Sequence, residues 1–175
     1  IPEDLEVYDY DNSGNPTGYF KNEYDESGNC VKNANYNSEG ELLGYTENEY
    51  DANGNRTKVI YYDKHEKVQA QATTEYDDQN RITKYTDLDA EGNVKSYIVY
   101  EYTEAGFEKK VSRYNGDDTL KSYTEYEYND KGQLIKEVVY NERNKVSKVR
   151  KYEYDSNGVC TRRLNYNANG TLNSY

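Results

Sequence analysis

One recurrence dominates this chain. Tyr24-Asp25-Glu26-Ser27-Gly28-Asn29 returns 26 residues later as Tyr50-Asp51-Ala52-Asn53-Gly54-Asn55. Tyrosine keeps that step without slip at Tyr24, Tyr50, Tyr76, Tyr102, Tyr128 and Tyr154. A second series runs Tyr10, Tyr36, Tyr62, Leu88, Tyr114, Tyr140 and Tyr166 with the same period. Gly28, Gly54, Gly106, Gly132 and Gly158 follow the first series by four residues; Gly14, Gly40, Gly92 and Gly170 follow the second likewise. A fixed period of this kind marks a repeat architecture, in which units bury their apolar faces against their neighbours.

Asp or Asn followed three residues later by Gly is turn chemistry. The Asx side chain caps a type I turn, and Gly takes the left-handed position that ends it. This is the hairpin loop closed by a bulge at glycine. Between turns lie runs such as Asn55–Tyr62 and Glu41–Tyr50, rich in Tyr, Val, Thr and Ile, as strands are. No segment keeps a helical period. The reading is an all-β chain: one continuous antiparallel meander of about 13–14 strands, built from 26-residue double-hairpin repeats. The sheet is expected to twist, with coiling on itself left open. Residues 1–175 form a single repeat domain, with units starting near 24, 50, 76, 102, 128 and 154 and a partial unit over 1–23. Four turns carry Glu66, Asn80, Asp118 or Asn144 in place of Gly. Glu suits the left-handed region least, so Lys64-His65-Glu66-Lys67 is expected to be irregular.

Pairing Tyr24 with Cys30 sets an expected side-chain parity. One face then carries both tyrosine series, the Leu42/Val68/Val94/Leu120/Val146/Leu172 column, Tyr100, Tyr126 and Tyr152, and the small residues Gly18, Gly44, Ala70, Ser96 and Ser122. The column Lys32, Lys58, Lys84, Lys110, Lys136 and Arg162 falls on that face too, with stems able to cover rings. The other face carries Glu23, Glu49, Glu75, Glu101, Glu127 and Glu153, together with Tyr19, Tyr45, Tyr97, Tyr123 and Tyr175.

Composition enters as a constraint on thickness. Apolar residues are 34% of the chain, yet 23 are tyrosine. Tyr buries a ring while its hydroxyl stays wet, so a thin sheet is within reach where an aliphatic core is not. The net charge of −11 argues against a nucleic-acid partner, whose phosphates require clustered Lys and Arg. No apolar run approaches a membrane span. A chain that begins at Ile1 and lacks Met is expected to be processed or trimmed, by removal of an export signal or otherwise.

The motifs Tyr-Asp-x-x-Gly-Asn at 24–29 and 50–55 and Tyr-Asp-x-x-Gly at 154–158 resemble the tyrosine–aspartate (YD, Rhs-type) repeats of bacterial secreted and surface proteins. The looser copies at Tyr102–Gly106, Tyr128–Gly132 and Tyr166–Gly170 extend the resemblance over about residues 8–175. It implies an all-β, extracellular or cell-surface protein whose signal peptide has been removed. It also implies surface display, carbohydrate binding or enclosure of a toxin. Family repeats often carry Arg after the glycine, where this chain has Asn15, Asn29, Asn55 and Asn93. The likeness to MORN-type hairpin repeats is weaker.

Few residues invite chemistry. His65 is the single histidine and sits in a degenerate turn, so it reads as a solvated loop residue, and a zinc site has no ligand set. Cys30 and Cys160 share a repeat column five units apart, about 48 Å in an extended sheet, and read as free thiols. The Asp/Asn turns are explained by capping, without calcium. A Glu in every repeat reads as solvation, not as a hydrolase pair in a cleft. No catalytic, cofactor or metal residues are therefore assigned. The candidate ligand-stacking residues are Tyr19, Tyr45, Tyr97 and Tyr123, weighed against a role for tyrosine in packing alone. The expected function is a non-enzymatic repeat scaffold or binding module of a bacterial exported protein, with a glycan or surface-protein partner. Behind it stand a structural spacer and, weakest, a glycoside hydrolase. The expected state is a monomer or weak dimer, since open sheet edges near Leu5 and Leu172 invite some pairing.

Overall fold

The structure, a computed structural model, describes residues 5–174. Fourteen antiparallel strands form one open meander sheet in chain order, as the turn spacing requires. The chain divides into two compact units, Ile1–Lys95 and Ser96–Tyr175. The first holds β1 (Leu5–Tyr10), β2 (Pro16–Tyr24), β3 (Cys30–Asn37), β4 (Leu42–Tyr50), β5 (Arg56–Asp63), β6 (Val68–Tyr76) and β7 (Ile82–Leu88). β8 (Val94–Tyr102) opens the second, followed by β9 (Glu108–Asn115), β10 (Leu120–Tyr128), β11 (Leu134–Asn141), β12 (Val146–Tyr154), β13 (Cys160–Asn167) and β14 (Leu172–Ser174).

The turns show why Asp-x-x-Gly-Asn recurs. Asp25 N donates to Asn29 O at 3.0 Å and Gly28 N to Asp25 O at 3.0 Å. Asp25 Oδ1 accepts from the backbone N of Ser27 (2.9 Å) and Asn29 (2.8 Å), while Asn29 Nδ2 donates to Asp25 Oδ2 at 2.9 Å. The residue after the glycine is therefore a clamp. Asn55 repeats it on Asp51. Arg81 performs it on Asp77 through its guanidinium. Glu66 adopts φ 60°, and its turn closes as regularly as the others, Asp63 N to Lys67 O at 2.9 Å and Glu66 N to Asp63 O at 3.0 Å. The expected irregularity there is absent, because capping by Asp63 holds the backbone where Glu alone would not go.

The face assignment is corrected by the register. Tyr24 does sit opposite Cys30, but Glu23 pairs with Lys32, so Val31 is skipped. Tyr36 pairs with Leu42 and Asn35 with Gly44, skipping Leu43. The same one-residue shift recurs in each strand pair whose register is described. A bulge of one residue reverses the parity of everything beyond it. Tyr19 thus shares a face with Tyr36, and Glu23 with Lys32, against expectation. Gly18, Gly44 and Tyr126 lie on the other face. By strand alternation, the first tyrosine series lies there as well. The bulged hydroxyls have a use: Thr57, Ser147 and Thr161 donate to the carbonyls of Glu49, Val139 and Glu153 across the strand.

The core is thin and split between the faces. Ala34 and Thr86 are buried on the tyrosine-pair face of the first unit, Val59 and Ala72 on its other face. In the second unit Ser112, Val138 and Leu164 take the first role and Val111, Thr124 and Asn165 the second. Small and β-branched side chains fill the space between tyrosine rings, as a single sheet layer requires.

Candidate functional site: the tyrosine-pair face

Direct cross-strand pairing brings the two tyrosine columns together. In the first unit Tyr19 stacks on Tyr36 (centroids 4.9 Å apart, planes 9° apart) and Tyr45 on Tyr62 (4.4 Å, 9°). In the second, Tyr97 stacks on Tyr114 (4.7 Å, 13°) and Tyr123 on Tyr140 (4.4 Å, 10°). All eight rings are half-buried. Each pair contributes about 0.5–1.5 kcal/mol beyond its buried area.

The second surface of several rings is also taken. Lys32 on β3 places Nζ 4.6 Å from the Tyr45 centroid, while Tyr62 approaches from β5, so the Tyr45 ring is sandwiched. Lys110, Tyr123 and Tyr140 repeat this on β9, β10 and β11, with Nζ at 4.5 Å. Tyr8 covers the remaining side of Tyr19 at 5.3 Å. Of the candidate stacking residues, Tyr19, Tyr45, Tyr97 and Tyr123 all lie on this face, in two separate units; Tyr175, placed in the same column, lies outside the described residues. Tyr62 donates its hydroxyl to Glu47 Oε2 at 3.0 Å and Tyr97 to Asp118 Oδ1 at 2.9 Å, and the Glu125 carboxylate acts on the Tyr140 phenol. Burial, reinforced by these carboxylates, pushes the Tyr62, Tyr97 and Tyr140 phenols above their ordinary value.

The Glu and Lys columns face one another as ion pairs: Glu23–Lys32 (4.0 Å) and Glu49–Lys58 (3.4 Å), then Glu127–Lys136 (2.6 Å) and Glu153–Arg162 (3.2 Å). They are solvent-exposed pairs of small energetic weight.

On the other face the first tyrosine series ties neighbouring strands together within each unit. Tyr50 donates its hydroxyl to Cys30 O at 2.9 Å, Tyr76 to Arg56 O at 3.0 Å and Tyr154 to Leu134 O at 2.8 Å, each 20 residues back. Asn48 Nδ2 also donates to Cys30 O, leaving its buried Oδ1 without a partner. In the second unit Glu137 accepts from Arg150 Nη1 (2.5 Å) and Tyr152 OH (2.6 Å). Burial first, then this carboxylate, push the Tyr152 phenol up to about 12. In the first unit an open groove of about 440 Å³ is lined by Asp9, Phe20, Asn35, Thr46 and Tyr61 over the backbone of Gly18 and Gly44. A Cβ on Gly18 would meet Tyr36 O at 2.6 Å, and one on Gly44 would meet Tyr62 O at 2.7 Å, so only glycine fits this floor. Sequence reasoning missed the groove because it placed both glycines on the same face as the second tyrosine series.

His65 lies exposed in its turn, its backbone N donating to Asp63 Oδ1. Cys30 and Cys160 are free thiols, and burial raises the Cys30 pKa. Among the described residues no three His, Cys, Asp or Glu side chains converge as metal ligands. No described helix is long and apolar enough to cross a membrane.

No protein-family model matches this chain, and no curated protein does. Its fold resembles part of the Photorhabdus luminescens Tc holotoxin pore, at 13% identity and TM-score 0.68, covering 97% of this chain and 9% of that one. Looser likenesses are to TcdB2-TccC3 (14%, TM-score 0.36, covering 93% and 12%) and to a porin-like protein from Bacteroides uniformis (12%, TM-score 0.36, covering 97% and 92%). The chain thus spans under a tenth of the toxin chain whose fold it shares.

Proposed function

We propose that this chain is a non-enzymatic repeat scaffold of a bacterial exported or cell-surface protein, acting as a monomer or weak dimer. The observation that carries this reading is the sandwiching of Tyr45 and Tyr123 between a lysine and a second tyrosine. Rings covered on both sides serve as building material. The YD-type turn motif and the fold shared with a segment of the Tc holotoxin pore support it.

A second reading, a glycan-binding module, is favoured by the groove between Phe20 and Tyr61. A glycan array distinguishes the two. The scaffold reading expects no saturable binding, and expects substitution of Tyr19, Tyr45, Tyr97 and Tyr123 by Leu to lower thermal stability only. Saturable binding abolished by those substitutions would establish the tyrosine face as a binding surface; binding abolished by Tyr61→Ala alone would establish the groove. Release of cleaved sugar from any array glycan would overturn the non-enzymatic assignment.

A further inference from the structure

The tyrosine pairs carry more than packing requires. The group Lys32, Tyr45, Glu47 and Tyr62 in the first unit recurs as Lys110, Tyr123, Glu125 and Tyr140 in the second, each residue three repeats along. Both groups have rings stacked at 4.4 Å with planes 9–10° apart. Both place an ammonium on one ring, and in the first group Glu47 accepts from the hydroxyl of the other, with Glu125 at the equivalent repeat position in the second. An ordinary stacked pair needs neither.

A phenol loses an electron readily only when its proton leaves at the same time. Glu47 is positioned to take that proton from Tyr62, and Glu125 occupies the equivalent repeat position for Tyr140. The ammonium over Tyr45 or Tyr123 disfavours positive charge on that ring, which directs the first oxidation to its partner. The stacked geometry then holds a second phenol against the radical, at a local concentration no bimolecular encounter reaches.

We infer that Tyr45–Tyr62 and Tyr123–Tyr140 are sites of oxidative tyrosine–tyrosine coupling, driven by hydrogen peroxide through a haem peroxidase. Each phenol loses one electron and one proton to give a phenoxyl radical. The two radicals join through a bond between ring carbons ortho to the oxygens. The hydrogens on those carbons then shift to the oxygens, restoring two phenols. The two electrons and two protons reduce one peroxide to two waters. The product cross-links β4 to β5 and β10 to β11.

The test is treatment of the native chain with horseradish peroxidase and hydrogen peroxide, followed by dityrosine fluorescence of the monomer and mapping of the linked peptides. The expected result is links joining Tyr45 to Tyr62 and Tyr123 to Tyr140, at about tenfold higher yield than in the urea-unfolded chain. Replacing both Tyr62→Phe and Tyr140→Phe keeps the stacking and removes the links at Tyr45 and Tyr123. Replacing both Glu47→Gln and Glu125→Gln slows it. Equal yields in native and unfolded chains, or links only between exposed tyrosines such as Tyr10 and Tyr61, would overturn the proposal. So would a dityrosine link persisting at Tyr45 or Tyr123 in the double Phe chain, and an unchanged rate in the double Gln chain would overturn the carboxylate's role.

Discussion

Asp25, Asp51 and Asp77 each accept two backbone N–H donors and a side-chain donor from the residue after the turn. Those donors favour the charged form. The side chain of Asn29, Asn55 or Arg81 does most to hold the carboxyl below its ordinary value of 3.8, followed by that residue's backbone N–H. The folded chain therefore binds fewer protons than the unfolded one as pH falls through this range. The stability these groups supply is fully present above 3.8 and is lost as pH drops through the lowered folded values. Melting temperature should hold level down to about pH 5 and fall progressively below pH 4. Asn37 and Asn141 cap their turns with a neutral amide in the same geometry. Changing Asp25, Asp51 and Asp77 together to Asn should thus preserve the fold and make the acid limb shallower. An acid limb of unchanged steepness, in thermal melts followed by circular dichroism, would remove the carboxylates as its cause. The Asx-x-x-Gly signal was legible in sequence because its partners are four residues away. The role of the residue after the glycine was also local, yet it was missed: Asn29, Arg81, Gln133 and Glu41 share no chemistry except the reach to an Asx side chain.

The hairpin is where sequence reasoning both succeeded and failed. Strand number, order and direction follow from turn spacing, and the structure has them. Parity did not follow, because the skipped residues, Val31, Leu43, Thr57, Gln69 and Lys109 among them, have no composition in common. A bulge without a glycine leaves no mark in a single sequence, and missing it turned the long strands over relative to the short ones. The stacked pairs were lost with them: Tyr19 and Tyr36 were placed back to back when they are face to face. The turn at Glu66 gives a test at this scale. Its φ of 60° costs a side chain about 1–2 kcal/mol, partly offset in glycine by greater freedom when unfolded. Glu66→Gly should stabilise by about 1 kcal/mol, or about 2–4 °C in melting temperature. A lower melting temperature would mean that Glu66 makes a compensating contact.

Within each unit, strands touch only their neighbours in the chain. Stability in such an array is close to a sum of unit and interface terms, with no central core to lose. Excision of residues 51–76, joining Tyr50 to Asp77, should leave a folded sheet with the same spectroscopic signature and a smaller unfolding free energy. Collapse to an unfolded chain would show that the repeats are not interchangeable. The hydroxyl of Tyr50 reaches the carbonyl of Cys30, and that of Tyr76 reaches Arg56, so each tyrosine reads the position of the turn one step before it. A gene for such a chain can grow or shrink by unequal recombination only in blocks of one whole period. Any other insertion throws the phenols out of phase with the carbonyls, and its damage spreads to both flanking corners and not to the altered loop alone.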